Sequence, residues 1–185
     1  MPVRRSSSTR HTPPVGKSAR AAGGTPARAA GGTPATAALA CAGIPFHSHP
    51  YQHDPAAPSF GLEAAEALGV AADRVFKTLL VGTERGLCVG IVPVDRQLDL
   101  KAVAAALRVK RATMADAAAA ERSTGYVVGG ISPIGQKRPL PTVLDEGALR
   151  HRTVFVSGGR RGFDIELAPA GLVAASNART APISR

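Results

Sequence analysis

The runs of regular pattern in this chain are short, and most end at glycine, proline or a small polar residue. Apolar, partly β-branched runs at 75–81 and 87–94 are separated by a turn at 82–86, which predicts a β-hairpin. The helical patterns between the other apolar runs are mostly too short for regular crossovers between parallel strands, which take about a dozen residues or more. The chain is therefore not expected to form a doubly wound α/β fold.

Short helices and short strands alternate along the chain. Apolar spacing and capping residues predict helices at 35–42, 63–68, 98–107, 115–121 and 169–175, with Gly69 closing the second and Asp99 as a candidate cap of the third. Alternating or β-branched runs predict further strands at 44–51, 126–128, 142–144, 153–156 and 163–167. Because strands outnumber the helices and interleave with them, we predict an α+β fold with a twisted, partly closed mixed β-sheet surrounded by short helices.

Residues 1–32 differ in composition from the rest of the chain. They are rich in Ser, Gly, Ala, Pro and Arg, and the eight-residue sequence ARAAGGTP at 19–26 is repeated immediately afterwards. A segment with so few large apolar side chains cannot bury enough surface to fold, so we predict a disordered tail. Thr33 and Pro34 suit the N-cap and first position of a helix, and we place a single domain at 33–185.

Positive charge is concentrated at the start of the chain. The formal net charge is +10, and residues 1–34 hold six of the 23 basic side chains and no acidic ones. The remainder is only mildly basic, which permits contact with a polyanion but is equally typical of an ordinary solvated surface. An Arg- and Ser-rich, acid-free tail is also typical of an organelle transit peptide, which stays open as an alternative.

Neither a membrane span nor a disulfide framework is predicted. No run of 18 apolar residues occurs, and the N-terminus lacks the apolar stretch of a secretory signal. The two cysteines, Cys41 and Cys88, form no CxxC pair and indicate free thiols in a reducing compartment. We therefore expect a cytoplasmic protein, with a monomer as the default oligomeric state.

Two predicted strands run into glycine-rich loops. Residues 125–135 read GYVVGGISPIG, and residues 157–162 read SGGRRG. Glycine permits positive φ and close approach, and exposed N–H groups in such loops bind carbonyl or phosphate oxygens. Tight hairpin turns are the alternative, and Arg160 and Arg161 suit a phosphate contact and a charged turn equally well. Two such loops in one small domain favour the walls of a pocket.

Lys77 is the only charged residue in the apolar run 75–81. It either extends to the surface or points into a cavity, where its ammonium binds a carboxyl, ester or phosphate oxygen. His47, His49 and His53 lack the further ligands of a metal site, so we expect hydrogen-bonded or solvent-facing histidines and neither metal nor cofactor. Without a GxSxG elbow or an assignable Cys–His pair, an enzyme of this sequence would orient its substrate rather than supply a covalent nucleophile.

Several longer motifs, in order, resemble one family from about residue 33 to about residue 172. They are Tyr51-x-His53-Asp54, Phe60-Gly61, FKTLLV at 76–81, VPVxxQLDLK at 92–101, RSTGYVVGGISPIGQK at 122–137, LPTVLDE at 140–146 and VSGGRRGFDIEL at 156–167. In these motifs the chain is similar to the YbaK-type Cys-tRNA(Pro) deacylases, the YbaK/EbsC family. That family is related to the editing domain of bacterial prolyl-tRNA synthetases, whose fold the resemblance implies for this chain.

The resemblance also implies a site. By position it implies that Lys77 is the central catalytic residue, binding the aminoacyl end of the tRNA, with Gly129 and Asp164 as further catalytic residues. Gly129 would offer its backbone to the substrate, and Asp164 would complete a polar wall. The implied substrate-binding residues are Tyr51, Phe60, Gly130, Ile131, Ser132 and Ser157.

The implied reaction needs no nucleophile from the protein. In the family mechanism the thiol of the mischarged cysteine attacks its own ester, which releases tRNA and a cyclic thiolactone. The implied partners are mischarged tRNA(Pro) and, in a transient complex, prolyl-tRNA synthetase. Two alternatives stay open: hydrolytic editing of another mischarged tRNA such as Ala-tRNA(Pro), and a tRNA-binding accessory protein without catalysis.

Overall fold

The computed structural model describes residues 32–185, and the predictions for residues 1–31, including the tail, lie outside this part of the chain. The strands are β1 His47–Pro50, β2 Val75–Thr83, β3 Gly86–Pro93, β4 Ala112–Met114, β5 Thr142–Asp145, β6 Val154–Arg160, β7 Phe163–Leu167 and β8 Arg179–Ala181. The α-helices are α1 Pro34–Cys41, α2 Phe60–Leu68, α3 Leu100–Leu107, α4 Ala117–Thr124 and α5 Pro169–Ser176. Two 3-10 turns, Ala72–Arg74 and Glu146–Arg150, precede β2 and follow β5.

The eight described strands form one mixed sheet in the order β1-β7-β6-β2-β3-β5-β8, with β4 paired to β2. The pairs β1–β7, β7–β6, β2–β3 and β2–β4 are antiparallel. The pairs β6–β2, β3–β5 and β5–β8 are parallel. The predicted α+β fold with a mixed sheet and short helices is confirmed.

One edge of β2 is shared by two strands that leave a space between them. β6 pairs only with Val75 and Phe76, at the start of β2. β4 pairs with Val81, Gly82 and Thr83, at its end. The stretch 77–80 between them therefore has no partner strand on that side, although Ala115 N–H donates to the carbonyl of Leu80 at 3.0 Å.

Side-chain oxygens at the N-caps begin the first four helices. Thr33 accepts from the N–H of Thr36 at the start of α1, and the side chain of Thr36 in turn accepts from the N–H of Thr33. The side chains of Ser59, Asp99 and Asp116 likewise accept from main-chain N–H groups at the starts of α2, α3 and α4. The predicted caps Thr33 and Asp99 are confirmed.

The core lies on both faces of the sheet, and β2 contributes to each face. Alternate side chains of a strand point to opposite sides. Phe76 and Leu80 pack in the main cluster, which also receives α1, α4 and α5. Val75 and Val81 pack on the other face, in two smaller clusters beneath α2 and α3. Lys77 belongs to this second face by register, between the two smaller clusters.

The predicted strand at 126–128 is wrong. Gly125 ends α4 in the left-handed conformation (φ 78°), and the following residues form an irregular loop. The main-chain groups of Val128 bond to side chains instead of a strand: its N–H donates to Glu121 and its carbonyl accepts from Arg161. The short strands β4 and β8, of three residues each, were not predicted.

Candidate active site

A cavity of about 400 Å³ opens at the unpartnered stretch of β2. Its lining is mostly apolar, with a few polar groups, which is typical of small-molecule sites. The polar lining side chains are Tyr51, Ser59, Lys77, Thr78, Ser157 and Asp164. The fold thus places residues from both faces of β2 at one opening in the sheet.

Lys77 is half-buried in this cavity. Its ammonium Nζ donates to the carbonyl of Val94 at 3.2 Å. Burial lowers the pKa of Lys77 from its ordinary value, and the negative charge of Asp95 partly offsets this effect. Since an ammonium has three donors, the contact with Val94 leaves donors for an anionic or carbonyl oxygen of a ligand.

Asp164 brings a buried carboxyl group to the same cavity. It lies in β7, paired with Ser157 of β6, and is 5% exposed. Burial raises the pKa of Asp164 to about 7, and within residues 32–185 no hydrogen bond or positive charge offsets this effect. Buried polar groups normally have partners, so an unpartnered carboxyl facing a cavity indicates a place for a ligand donor.

The pKa of Tyr51 is also shifted in this cavity. Burial raises the pKa of Tyr51 to about 12, with further contributions from the negative charges of Asp164 and Glu63. Tyr51 is held by its main-chain N–H, which donates to the carbonyl of Gly162 in the β6–β7 turn at 2.9 Å. Its ring therefore stays a neutral, half-buried part of the cavity wall.

Gly129 lines the same cavity from the loop after α4. Its φ is 85°, in the region that favours glycine, and a Cβ there would lie 2.9 Å from the Phe60 ring and 3.0 Å from Nε of Arg161. The guanidinium of Arg161 stacks on Phe60, 5.1 Å from the ring centroid. The absence of a side chain at Gly129 thus allows the loop, Phe60 and Arg161 to meet at the cavity rim.

Comparison with known proteins places this arrangement in a family. A family model described as an aminoacyl-tRNA editing domain matches residues 54–175, which include Phe60, Lys77, Gly129 and Asp164. The chain belongs to the aminoacyl-tRNA editing domain family. A curated relative from Enterococcus faecalis, EbsC, is named with the proposed activity of a Cys-tRNA(Pro)/Cys-tRNA(Cys) deacylase. It is 42% identical over 121 residues, which cover 65% of this chain and 74% of the relative.

Solved structures share the fold of this editing domain. One, titled as a proposed trans-editing enzyme for prolyl-tRNA synthetase, has a TM-score of 0.71 at 26% identity and covers 82% of this chain and 95% of its own. Another, of a protein described as hypothetical, has a TM-score of 0.75 at 27% identity and covers 83% of this chain and 100% of its own. The predicted family and enzyme class, an aminoacyl-tRNA deacylase, are confirmed.

The editing domain brings together most of the residues that its sequence predicted for the site. Those that line the cavity are Tyr51, Phe60, Lys77, Gly129, Ile131, Ser157 and Asp164. Gly130 and Ser132 do not line it. Gly130 packs against the main chain of Arg160, since a Cβ there would lie 2.8 Å from it. Ser132 is fully buried behind the loop, where its hydroxyl accepts from the N–H of Ile134 at 3.3 Å.

Sequence reasoning missed Thr78. Its side-chain oxygen is buried without a hydrogen-bond partner within residues 32–185, and the residue lines the cavity of the editing domain. An unsatisfied buried hydroxyl costs roughly 1–3 kcal/mol, which a bound ligand or water would relieve. The signal that could have found it was its position next to Lys77, as the second polar residue of an apolar strand.

Two histidines of the editing domain pair with carboxylates. His49 contacts Glu166, and His53 contacts Glu63, each at 3.0 Å. Within residues 32–185 no three His, Cys, Asp or Glu side chains converge as a metal site. None of the helices described there is long and apolar enough to cross a membrane.

Proposed function

We propose that this editing domain is a Cys-tRNA(Pro) deacylase that acts in trans on mischarged tRNA. The observation that carries the proposal is that one cavity is lined by both a half-buried ammonium, Lys77, and a buried, unpartnered carboxyl, Asp164. An aminoacyl ester carries the complementary groups: carbonyl and ribose oxygens at one end and an α-ammonium at the other. The curated relative and the trans-editing structure support this substrate class.

Each polar group of the cavity has a place in binding this ester. The Lys77 ammonium holds an ester or ribose oxygen, and the Asp164 carboxyl accepts from the α-ammonium. The main-chain N–H of Gly129 donates to the carbonyl oxygen as negative charge develops on it. Tyr51 and Phe60 enclose the apolar parts of the substrate and exclude water.

The chemistry suits a cavity without a protein nucleophile. No cysteine or histidine is among the described lining residues, so the cavity lacks the Cys–His or Ser–His pair of a covalent mechanism. Cys88 is buried in the core, and burial raises its thiol pKa to about 11. We therefore assign the role of nucleophile to the thiol of the substrate.

Bond changes in the proposed step balance within the substrate. The cysteine thiol loses its proton while its sulfur forms a bond to the ester carbonyl carbon. The bond from that carbon to the ribose oxygen breaks, and the ribose oxygen takes up a proton. The products are tRNA with a free terminal hydroxyl and cysteine thiolactone.

Orientation and electrostatics can supply much of the acceleration. Well-oriented intramolecular attack contributes about 7–11 kcal/mol to lowering a barrier. One oxyanion donor contributes about 2.7–4 kcal/mol more. The enzyme needs to fold the cysteinyl group into the attacking pose and to supply that donor, and both tasks match the cavity described above.

The test is release of amino acid from tRNA(Pro) charged with Cys, Ser or Ala, by the wild type and by Lys77→Ala. We expect the cysteinyl ester to react fastest, because a hydroxyl is a poorer nucleophile than a thiol. Lys77→Ala should lower kcat/KM by roughly 10²-fold or more. Lys101→Ala, which removes an exposed lysine from α3, serves as the matched control and should retain activity.

The panel separates the alternatives. Equal rates with Cys and Ser esters would exclude attack by the substrate thiol, and preference for Ala would indicate hydrolysis by a bound water. Binding of charged tRNA with no release of any amino acid would indicate a tRNA-binding accessory protein without catalysis. Unchanged turnover in Lys77→Ala would refute the assigned site.

Selection of tRNA(Pro) is proposed to need a partner. The described chain is too small to contact the acceptor and anticodon ends of one tRNA together, and a structural relative is titled as acting for prolyl-tRNA synthetase. We propose a transient complex with that synthetase in the cytoplasm. Co-purification of the two proteins only in the presence of charged tRNA(Pro) would support it.

A further inference from the structure

The loop that carries Gly129 contains a turn with a defined peptide orientation. The N–H of Gly130 donates to the carbonyl of Val127 at 2.9 Å, which closes a four-residue turn. Gly129, third in this turn, has φ 85°, whereas Val128 is not among the residues of positive φ. A negative φ followed by a positive φ defines a type II turn rather than type I.

The two turn types differ in the direction of the central peptide group. The peptide between Val128 and Gly129 is trans and planar, so its C=O and N–H point in opposite directions. In the type II turn the carbonyl of Val128 is directed to Arg161. The N–H of Gly129 is therefore directed away from Arg161. In a type I turn this peptide would be flipped, and a carbonyl oxygen would replace the N–H.

Arg161 holds the carbonyl side of this peptide. Its Nε and Nη2 donate to the carbonyl of Val128 at 3.0 and 2.8 Å. The N–H of Val128, which belongs to the preceding peptide group, donates to the carboxylate of Glu121 at 2.8 Å. Two charged side chains, from α4 and from the β6–β7 turn, thus hold the two peptide groups that flank the Cα of Val128.

The N–H on the opposite side is free to bind a ligand. Within residues 32–185 the N–H of Gly129 has no hydrogen-bond partner, and both Val128 and Gly129 line the cavity. A flipped peptide would present a carbonyl oxygen there, which repels the oxyanion that an ester develops when attacked. The orientation of this peptide therefore decides whether the loop stabilises or opposes the reaction.

We propose that Arg161 is a positioning residue of the deacylase, which keeps the Val128–Gly129 peptide in the orientation that offers the Gly129 N–H to the substrate. The proposal rests on the function proposed above. Stacking of the guanidinium on Phe60 ties the same side chain to the start of α2 at the cavity rim. Arg161 also polarises the peptide through its charge, which strengthens the N–H as a donor.

Arg160 offers a matched control. It is the neighbouring arginine, but its guanidinium stacks on Phe163 at 4.8 Å from the ring centroid instead of binding the loop. Arg161→Met should lower kcat for the cysteinyl ester by about tenfold or more, with KM within about twofold. For comparison, complete removal of one oxyanion donor lowers kcat by roughly 10²–10³-fold. Arg160→Met should leave kcat unchanged, and Arg161→Lys should restore little, because an ammonium lacks the fork that places two donors on one oxygen.

A second readout does not depend on activity. The amide signal of Gly129 in the NMR spectrum of the free protein should move or broaden in Arg161→Met and stay in place in Arg160→Met. Arg161 is exposed, so we expect all three variants to fold, with melting temperatures close to that of the wild type.

Several outcomes would overturn the inference. Full recovery of kcat in Arg161→Lys, or equal increases of KM in the two methionine variants, would assign Arg161 to general attraction of phosphate. An unmoved Gly129 signal would show that the turn keeps its orientation without Arg161. If the wild type releases no amino acid from any ester, the proposed function fails, while the NMR comparison still tests the peptide orientation.

Discussion

At the residue scale, the site combines groups whose ordinary chemistry is altered by burial. Lys77 has a lowered pKa and Asp164 a raised one, and in both cases burial is the main cause. Both shifts favour the neutral forms, so Lys77 gains from a ligand oxygen that accepts its hydrogen bonds and Asp164 from a ligand cation. An aminoacyl ester, with neutral oxygen acceptors at one end and an ammonium at the other, meets both requirements at once.

Asp164 makes stability depend on pH. Its pKa is raised to about 7 in the folded protein, so its contribution to stability is full below about pH 4 and lost as pH rises toward 7. Asp164→Asn keeps a neutral side chain at every pH. We expect this variant to match the wild type near pH 4 and to exceed its free energy of unfolding near pH 8, by up to roughly 4 kcal/mol.

Urea unfolding at the two pH values measures this difference. Glu66→Gln, which removes an exposed carboxylate from α2, is the control and should leave the pH dependence unchanged. If Asp164→Asn loses stability with rising pH as steeply as the wild type, the Asp164 carboxyl is not the group that titrates.

At the element scale, the site exists because two strands share the edge of β2 incompletely. The hairpin of β2 and β3 is a local structure, and its register follows from a short turn. The opening at 77–80 depends instead on where β6 and β4 stop pairing with β2, and these strands arrive from distant parts of the chain. β4 is only three residues long, with too little pattern for a sequence-based prediction.

A buried carboxylate adds to the strand pairing that holds the C-terminal segment on the sheet. Asp145, at the end of β5, accepts from the N–H groups of Gly147, Ile183 and Ser184 at 2.8–2.9 Å. Asp145→Ala would leave these donors without their acceptor, and each unsatisfied buried group costs about 1–3 kcal/mol. We expect the free energy of unfolding to fall by about 2–4 kcal/mol.

Urea titration checks this prediction, with Glu146→Ala as the control. Glu146 is adjacent in sequence but exposed, and we expect its removal to change stability by less than about 0.5 kcal/mol. Cleavage by a protease near Ile183 should also accelerate in Asp145→Ala, because the segment loses one of the contacts that hold it. Equal stability of the two variants would show that this carboxylate contributes nothing.

At the scale of the whole molecule, the charge is uneven. Residues 1–34 hold six of the basic side chains, while the remaining chain is only mildly basic. Basic segments bind polyanions with an affinity that falls steeply with salt, by a slope that grows with the number of phosphates neutralised. The first residues are therefore predicted to strengthen tRNA binding without taking part in the reaction.

Removal of residues 1–31 tests this division of roles. We expect kcat on the cysteinyl ester to be unchanged, and the plot of log binding constant against log salt to become flatter, by about 0.7–0.9 for each phosphate that the shortened protein no longer neutralises. Retention of Gly32 keeps the Thr33 cap of α1 intact. A fall in kcat, or an unchanged salt slope, would contradict the prediction.

The sequence by itself determined the parts of this protein that depend on neighbouring residues. The β2–β3 hairpin, the Thr33 and Asp99 caps and the helix end at Gly69 follow from side-chain periodicity and from backbone preferences that act within a few residues. Motif order also indicated the family, and with it Lys77, Gly129 and Asp164.

Only the tertiary structure decided how those residues meet. The loop after α4 forms no strand, because Arg161, 33 residues away from Val128, takes the carbonyl that a strand would need. Packing against Arg160 left Gly130 outside the cavity, and the incomplete pairing of β2 with β6 and β4 exposed Thr78 to it. Such contacts depend on the packing of distant segments, and local pattern carries no information about which side chain will satisfy a given main-chain group.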